Sequence, residues 1–195
     1  MAEIELPNPE ELEEIQKKVF TRRVALVTAV FAVILAIASL GGNSAGKEVL
    51  LTQQQSSNQW AFYQAKVIRE HLYGNLKTLL MSQFLGREGR MTHSVQSQYE
   101  TILKKAEEEE NRYREEKKEI ETEAKKLEQE RDLYRSKLPY FEYAEVLLQI
   151  SIVMASISIL ASSGFLFSIA LSFAVLGTAS TVNGFFLIFR IPFLH

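Results

Sequence analysis

The chain has 195 residues, with 22 Lys and Arg against 24 Asp and Glu, for a formal net charge of −2. A nucleic-acid partner is therefore not expected, because its footprint is a basic patch. There is no cysteine, which excludes disulfides, thiol nucleophiles and cysteine metal sites, and His71, His93 and His195 are scattered without ligand spacing.

A mean hydropathy of −0.04 hides a division into blocks. Val24 to Leu40 is apolar apart from Thr28 and Ser39. Residues 100–137 hold 24 charged positions out of 38, 13 acidic and 11 basic. Residues 146–189 are 44 consecutive positions without Asp, Glu, Lys, Arg or His. One soluble core would mix these compositions; segregation on this scale implies lipid, water and an interface between them. The expected fold is an all-α membrane protein: three transmembrane helices and a long extramembrane antiparallel helical hairpin, coiled-coil-like in character.

In chain order, residues 1–23 are expected to form an amphipathic lead-in helix. Asn8 is placed to cap it, Pro9 takes the first helical position, and Glu10, Glu11, Glu13 and Glu14 precede Lys17, Lys18, Arg22 and Arg23. Leu12, Ile15 and Val19 share one face. Residues 24–42 are read as the first span, ended by Gly41-Gly42. The rival is a cleaved signal peptide, with Ala36-Ile37-Ala38 as its cleavage site. The Glu-rich segment ahead of the span is unlike a basic leader and favours a retained helix.

Residues 43–143 read as the extramembrane hairpin, with helices at about 44–85 and 92–138. Gly86 and Gly89 supply the turn, and Gly74 marks a weak point in the first helix. The second helix carries a seven-residue repeat: Tyr99, Ala106, Tyr113, Ile120, Leu127, Tyr134 and Phe141. Such a repeat implies a coiled-coil seam, whose companion line is spoiled by Glu109, Glu110 and Lys117. The seam serves either packing within the hairpin or self-association. On the first helix Ala61, Ala65, Ile68, Leu72, Leu76 and Leu79 offer the facing stripe. Ahead of that stripe, Gln53, Gln54, Gln55, Asn58, Trp60 and Tyr63 form an uncharged polar segment close to the membrane. It reads as an interface between subunits or as the lining of a vestibule.

Residues 144–163 and 164–190 are the second and third spans, turned by Ser162-Ser163-Gly164 and followed by a tail, 191–195. Tyr140, Phe141 and Tyr143 fit an aromatic belt, and Arg190 and Pro192 close the last helix. Small residues recur at four-residue spacing as Ser151/Ala155, Ser168/Ser172, Ala170/Ala174 and Ser180/Gly184, the pattern of close helix packing in lipid. Asn183 is the most polar intramembrane residue, suited to a bond with a neighbouring helix or to a pore lining. No ionisable side chain falls inside a span, which argues against proton relays and voltage sensors.

Several stretches together resemble one known family: Val24 to Leu40 with Gly41-Gly42-Asn43, then Gln55-Ser56-Ser57-Asn58-Gln59-Trp60-Ala61-Phe62-Tyr63-Gln64-Ala65-Lys66, then His71-Leu72-Tyr73. The family is one of bacterial membrane proteins catalogued as domain of unknown function 4337. The resemblance spans nearly the whole chain, and implies the architecture and a bacterial source without an activity.

No paired nucleophile and base, phosphate loop or metal cluster is visible, so no enzyme and no cofactor are expected. The expected role is that of a membrane-anchored, homo-oligomeric structural or interaction protein with a projecting stalk. The alternative is an oligomeric channel for ions or small neutral solutes. Expected partners are the lipid bilayer and further copies of the chain, or an unidentified membrane protein. Four flanking Lys and Arg before the first span against five on the other side give little orientation bias. With the first span dominating, the expectation is a bacterial cytoplasmic membrane, the N-terminus in the cytoplasm and the hairpin in the periplasm.

Overall fold

A computed structural model describes residues 9–87 and 92–189. Asn8, Gly89, Arg190, Pro192 and the 191–195 tail lie outside the described residues. The described residues form three helices and no strand: α1 (Pro9–Leu85, 77 residues), α2 (His93–Leu160, 68 residues) and α3 (Gly164–Phe186, 23 residues). All three are long and apolar enough to cross a membrane.

The break expected at Gly41-Gly42 and the gap expected between 138 and the span at 144 are both absent. Gly41-Gly42 does not end a helix; α1 runs through both from the lead-in to Leu85. Two interior glycines cost a helix about 1 kcal/mol each, and here that cost is offset by packing. A Cβ placed on Gly41 would stand 2.5 Å from Phe141 Cε1 and 2.9 Å from Phe185 Cζ. The missing side chain is the space these rings occupy. Pro139 likewise sits inside α2, where its ring withholds one N–H from the ladder without stopping the helix.

The chain divides into two compact units, Met1–Glu48 with Leu133–His195, and Val49–Asp132. In the first, segments of all three helices meet through small residues. One cluster joins Phe31 and Ala38 of α1, Ala144 and Leu148 of α2 and Ala174 of α3; another joins Val24, Ala155 and Ala170. Gly177 admits the Leu148 side chain, whose Cγ would lie 2.8 Å from an added Cβ. Small contact residues let helix backbones approach closely and gain van der Waals contact.

α2 and α3 are joined at the expected turn. Ser162 adopts a left-handed φ of 47°, and Ser163 caps α3 by accepting from the Leu166 N–H at 3.5 Å. α3 ends three residues earlier than the apolar run. Leu187 turns left-handed and donates its N–H to Asn183 O at 2.7 Å. The Asn183 side chain then holds Phe189, donating to its carbonyl and accepting from its N–H, both at 2.8 Å. Asn183 thus closes its own helix, which takes its amide away from both roles expected for it.

Candidate assembly surface

Within the Val49–Asp132 unit the two helix segments lie antiparallel. Cross-helix contacts link Gln53 with Arg131, Trp60 with Glu128, Lys66 with Glu116, Glu70 with Arg114 and Lys117, Lys77 with Glu110, and Phe84 with Tyr99. The tyrosine repeat of α2 faces this contact. Ala106 and Tyr113 are buried, and Tyr99, Ile120 and Leu127 are half-buried. Tyr113 stacks on Tyr73 at 5.7 Å between ring centroids. Cations of both helices, Lys66, Arg69 and Arg112, surround its ring at 4.8 to 5.7 Å. Tyr134 and Phe141, the last two of the repeat, belong to the other unit, where the Lys137 ammonium lies 5.7 Å from the Tyr134 ring.

The face that α1 turns inward is not the one its apolar pattern suggested. Facing α2 are Thr52, Ser56, Tyr63, Glu70, Tyr73 and Lys77, all buried or half-buried. Most of the expected stripe lies on the opposite side, with Leu76 at its edge, lining a hollow with Tyr73, Ala106 and Tyr113. Ile68 is 67% exposed, Leu72 63% and Leu79 55%, and Ala61, Ala65 and Leu76 are exposed as well. The reason lies in α2. Glu109, Glu110 and Lys117 occupy its companion line, and an apolar stripe against them would strand charges away from water at several kcal/mol each. Lys77 answers Glu110, Glu70 answers Lys117 and Lys66 answers the neighbouring Glu116, and all three sit on the other side of α1, so that side faces inward.

The resulting ionic cluster is ordered. Glu70, with a side chain only 10% exposed, accepts from Arg114 Nε at 3.1 Å and from Lys117 Nζ. Glu110 accepts from Lys77 Nζ at 2.5 Å and from Arg114 at 2.9 Å. It approaches α1 over Gly74, where an added Cβ would lie 3.7 Å from its carboxylate. That is an ordinary van der Waals separation, so the contact does not itself require glycine within the continuous helix. The Lys117 bond holds the Glu70 carboxyl below its ordinary pKa, and Arg114 lowers it further. The Lys77 bond does the same for Glu110, and the Lys66 bond for Glu116. The Glu70 bond raises the Arg114 guanidinium.

The polar segment ahead of the stripe is partly absorbed into the same contact. Trp60 donates its indole N–H to Glu128 Oε1 at 2.9 Å and packs edge-on to Tyr63. Gln53 accepts from Arg131 at 2.9 Å. Gln54, Gln55 and Asn58 stay exposed.

In the first unit, Ser168 and Ser172 do not pack between helices. Both are exposed and donate back to their own helix, to Gly164 O at 3.1 Å and Ser168 O at 3.0 Å. The covered line of α3 is Ala170, Ala174, Gly177, Thr181 and Gly184, one turn-face away. Ser180 does reach across, donating to Tyr140 O at 2.7 Å.

On the outer side of the Val49–Asp132 unit, α1 carries Leu51, Asn58, Ala65, Leu72 and Leu79 at strict seven-residue spacing, all exposed. Three residues after each come Gln54, Ala61, Ile68, Asn75 and Ser82, again exposed and uncharged. Phe62, at 60% exposure, widens the strip. Sequence reading found most of these apolar positions and assigned them the wrong neighbour. The signal that would have turned them outward was the charge on the facing line of α2. Among the described residues no group of three or more His, Asp or Glu side chains is placed to hold a metal ion.

A search of curated proteins and a search of solved structures give no match. Residues 20–187, and so nearly the whole described chain, match the family model described as Domain of unknown function (DUF4337), and the chain belongs to that family.

Proposed function

We propose that the protein is a membrane-anchored homo-oligomer, a structural or interaction protein. Its 49–132 helix pairs would associate as coiled coils through the outer stripe of α1, with the three apolar helices crossing the bilayer. The observation that carries this is the exposed, uncharged seven-residue repeat from Leu51 to Leu79. The strip sets exposed Leu51, Ala61, Ala65, Ile68, Leu72 and Leu79 among the uncharged Gln54, Asn58, Asn75 and Ser82; exposed apolar side chains gathered on one face suit an interaction surface, and a heptad line is the pattern of helix-on-helix docking.

A second copy of the chain is the occupant that fits. In a parallel pair each position of the repeat meets itself, and copies anchored in one membrane from the same end are held parallel. Asn58 then meets Asn58, a polar match that fixes register at some cost in stability. The strip has no charge of its own to be answered, and Arg69 and His71 on its borders place no like-charged pair directly across it. Covering Leu51, Phe62, Ile68, Leu72, Leu76 and Leu79 removes on the order of 500 Å² per copy, of the same order as the ~800 Å² per partner of a standard interface. In this reading the N-terminus lies in the cytoplasm and the helix pair on the other side of a bacterial cytoplasmic membrane.

Single-cysteine cross-linking tests the assignment, because the chain has no cysteine to interfere. Leu72→Cys and Leu79→Cys in native membranes are expected to form disulfide-linked pairs, since facing positions of a parallel pair meet the ~5.5–6 Å Cα separation a disulfide prefers. Glu119→Cys, on the exposed face of α2, is expected to stay unlinked. Equal linking at all three positions, or at none, would overturn the proposed surface.

A further inference from the structure

A cavity of about 410 Å³ opens on the first unit where the uncharged parts of the helices give way to charged residues. That volume lies within the ~300–1,000 Å³ of small-molecule sites. Phe141 and Phe185 line it, packed edge-to-face with ring centroids 5.0 Å apart. Ile37 and Leu40 form an apolar wall, and Gly41 and Gly184, which have no side chain to give, leave the hollow open beside the rings. At the charged end stand Tyr134, Lys137 and Glu48. Lys137 is half-buried, and among the described residues no carboxylate lies within salt-bridge distance of its ammonium. This is an amphiphile's shape: an apolar trough running from the membrane-spanning segment, with a cation at its mouth.

We propose that the cavity binds one acyl chain of a membrane phospholipid, with the phosphate of the head group at Lys137. The chain would lie along Ile37, Leu40 and Phe185. The phosphate would meet a hydrogen-bonding cation at the depth where lipid phosphates sit, as basic pockets between spanning helices do. The inference rests on the membrane-spanning reading of the helices and is independent of oligomer formation.

The test uses the full chain in phospholipid vesicles doped with phosphatidylethanolamine that bears a photoactivatable diazirine on one acyl chain, followed by peptide mapping. Labelling is expected to concentrate on residues 37–45 and on Phe185, above that at Leu171 and Val175, which are exposed on the outer side of α3. Ser44→Trp fills the cavity from an exposed lining position. It is expected to lower labelling there about fivefold, a change of ~1 kcal/mol in binding, and to leave Leu171 and Val175 unchanged. Lys137→Glu, a change at the rim that leaves the packed rings alone, is expected to lower it about threefold. Labelling spread evenly over all exposed apolar positions, and indifferent to both variants, would overturn the site. So would displacement by inorganic phosphate alone, which would assign Lys137 to a free anion, or cross-links from residues 37–45 to a second copy. Labelling of Leu171 and Val175 without residues 37–45 would defeat this inference alone; absence of labelling at both would defeat the spanning reading with it.

Discussion

Replacing Glu70 by Ala should open the helix pair of the 49–132 unit locally. Glu70 is the most enclosed charge in the contact, with a side chain 10% exposed between Lys117, 23% exposed, and Arg114, 46% exposed. Arg114 keeps Glu110 at 2.9 Å and has water within reach, so its loss is small. Lys117 loses the one partner it has in the contact and is half-buried. A hydrogen bond to a charged group contributes about 1.5–3 kcal/mol, and the partial exposure of Lys117 places the expected cost near 2 kcal/mol. That corresponds to an increase of about 30-fold in the local opening constant, read by amide hydrogen exchange of the full chain in nanodiscs over residues 60–80 and 105–125. Glu70→Gln, which keeps one acceptor, should cost about half as much. The double change Glu70→Leu with Lys117→Leu should recover most of the protection, because a pair replaced by apolar groups of similar size leaves no orphaned charge. Unchanged exchange in Glu70→Ala, or a double variant worse than the single one, would refute the view that this cluster holds the two helices together.

Four further outcomes follow from the structure. Gly41→Val and Gly184→Val both drive a side chain into Phe141, whose ring atoms lie 2.5 and 2.9 Å from the added Cβ. Each should cost about 1–3 kcal/mol of overpacking and lower the aggregation temperature of detergent-solubilised protein. Gly46→Ala, with its nearest neighbour at 3.8 Å, should raise it through a helix-propensity gain of up to ~1 kcal/mol. On acidification the helix pair should lose protection. Glu70, Glu110 and Glu116 are held below their ordinary values by their cations, so their stabilisation is complete above about pH 5. It fades as the pH falls from there through the lowered native values, and exchange measured from pH 7 down to pH 3 should reveal it. Asn183→Ala removes both bonds to Phe189 and should deprotect the Leu187 and Phe189 amides without changing protection in the body of α3.

The three apolar segments were legible because they rest on composition over long windows, whereas the number of helices was not, since the charged helices expected at 44–85 and 92–138 run unbroken from or into apolar ones. The uncharged run from 146 to 189 and the turn at Ser162-Ser163 needed no tertiary information. The helix limits were less so. Gly41-Gly42 reads as a stop by propensity, and only the arrival of Phe141 and Phe185, a hundred and more residues later in the chain, gives the glycines a packing role. The seven-residue line of Tyr99, Ala106 and Tyr113 was visible as a face, since periodicity along one helix is local. Which face of α1 would meet it was not visible from hydrophobicity alone. The choice turned on charge pairing across the two helices, where Lys66, Glu70 and Lys77 answer Glu116, Lys117 and Glu110. Ser168 and Ser172 show a related limit. Four-residue spacing picked out Ala170/Ala174 and Gly184, which are covered, as well as Ser168/Ser172, which are not, because spacing alone does not choose between neighbouring lines of one helix.

The most direct measurement is the native mass of the full chain, extracted in a mild detergent, for the natural sequence and for Ile68→Glu combined with Leu72→Glu. A defined multimer for the natural chain, and a monomer of unchanged helicity for the variant, are the expected results. A charged triple change at Tyr113, Ile120 and Leu127, which face the partner helix within one chain, should instead cost helicity along with mass. A monomeric natural chain, or a double variant that keeps the full multimer mass, would contradict assembly through the outer stripe of α1.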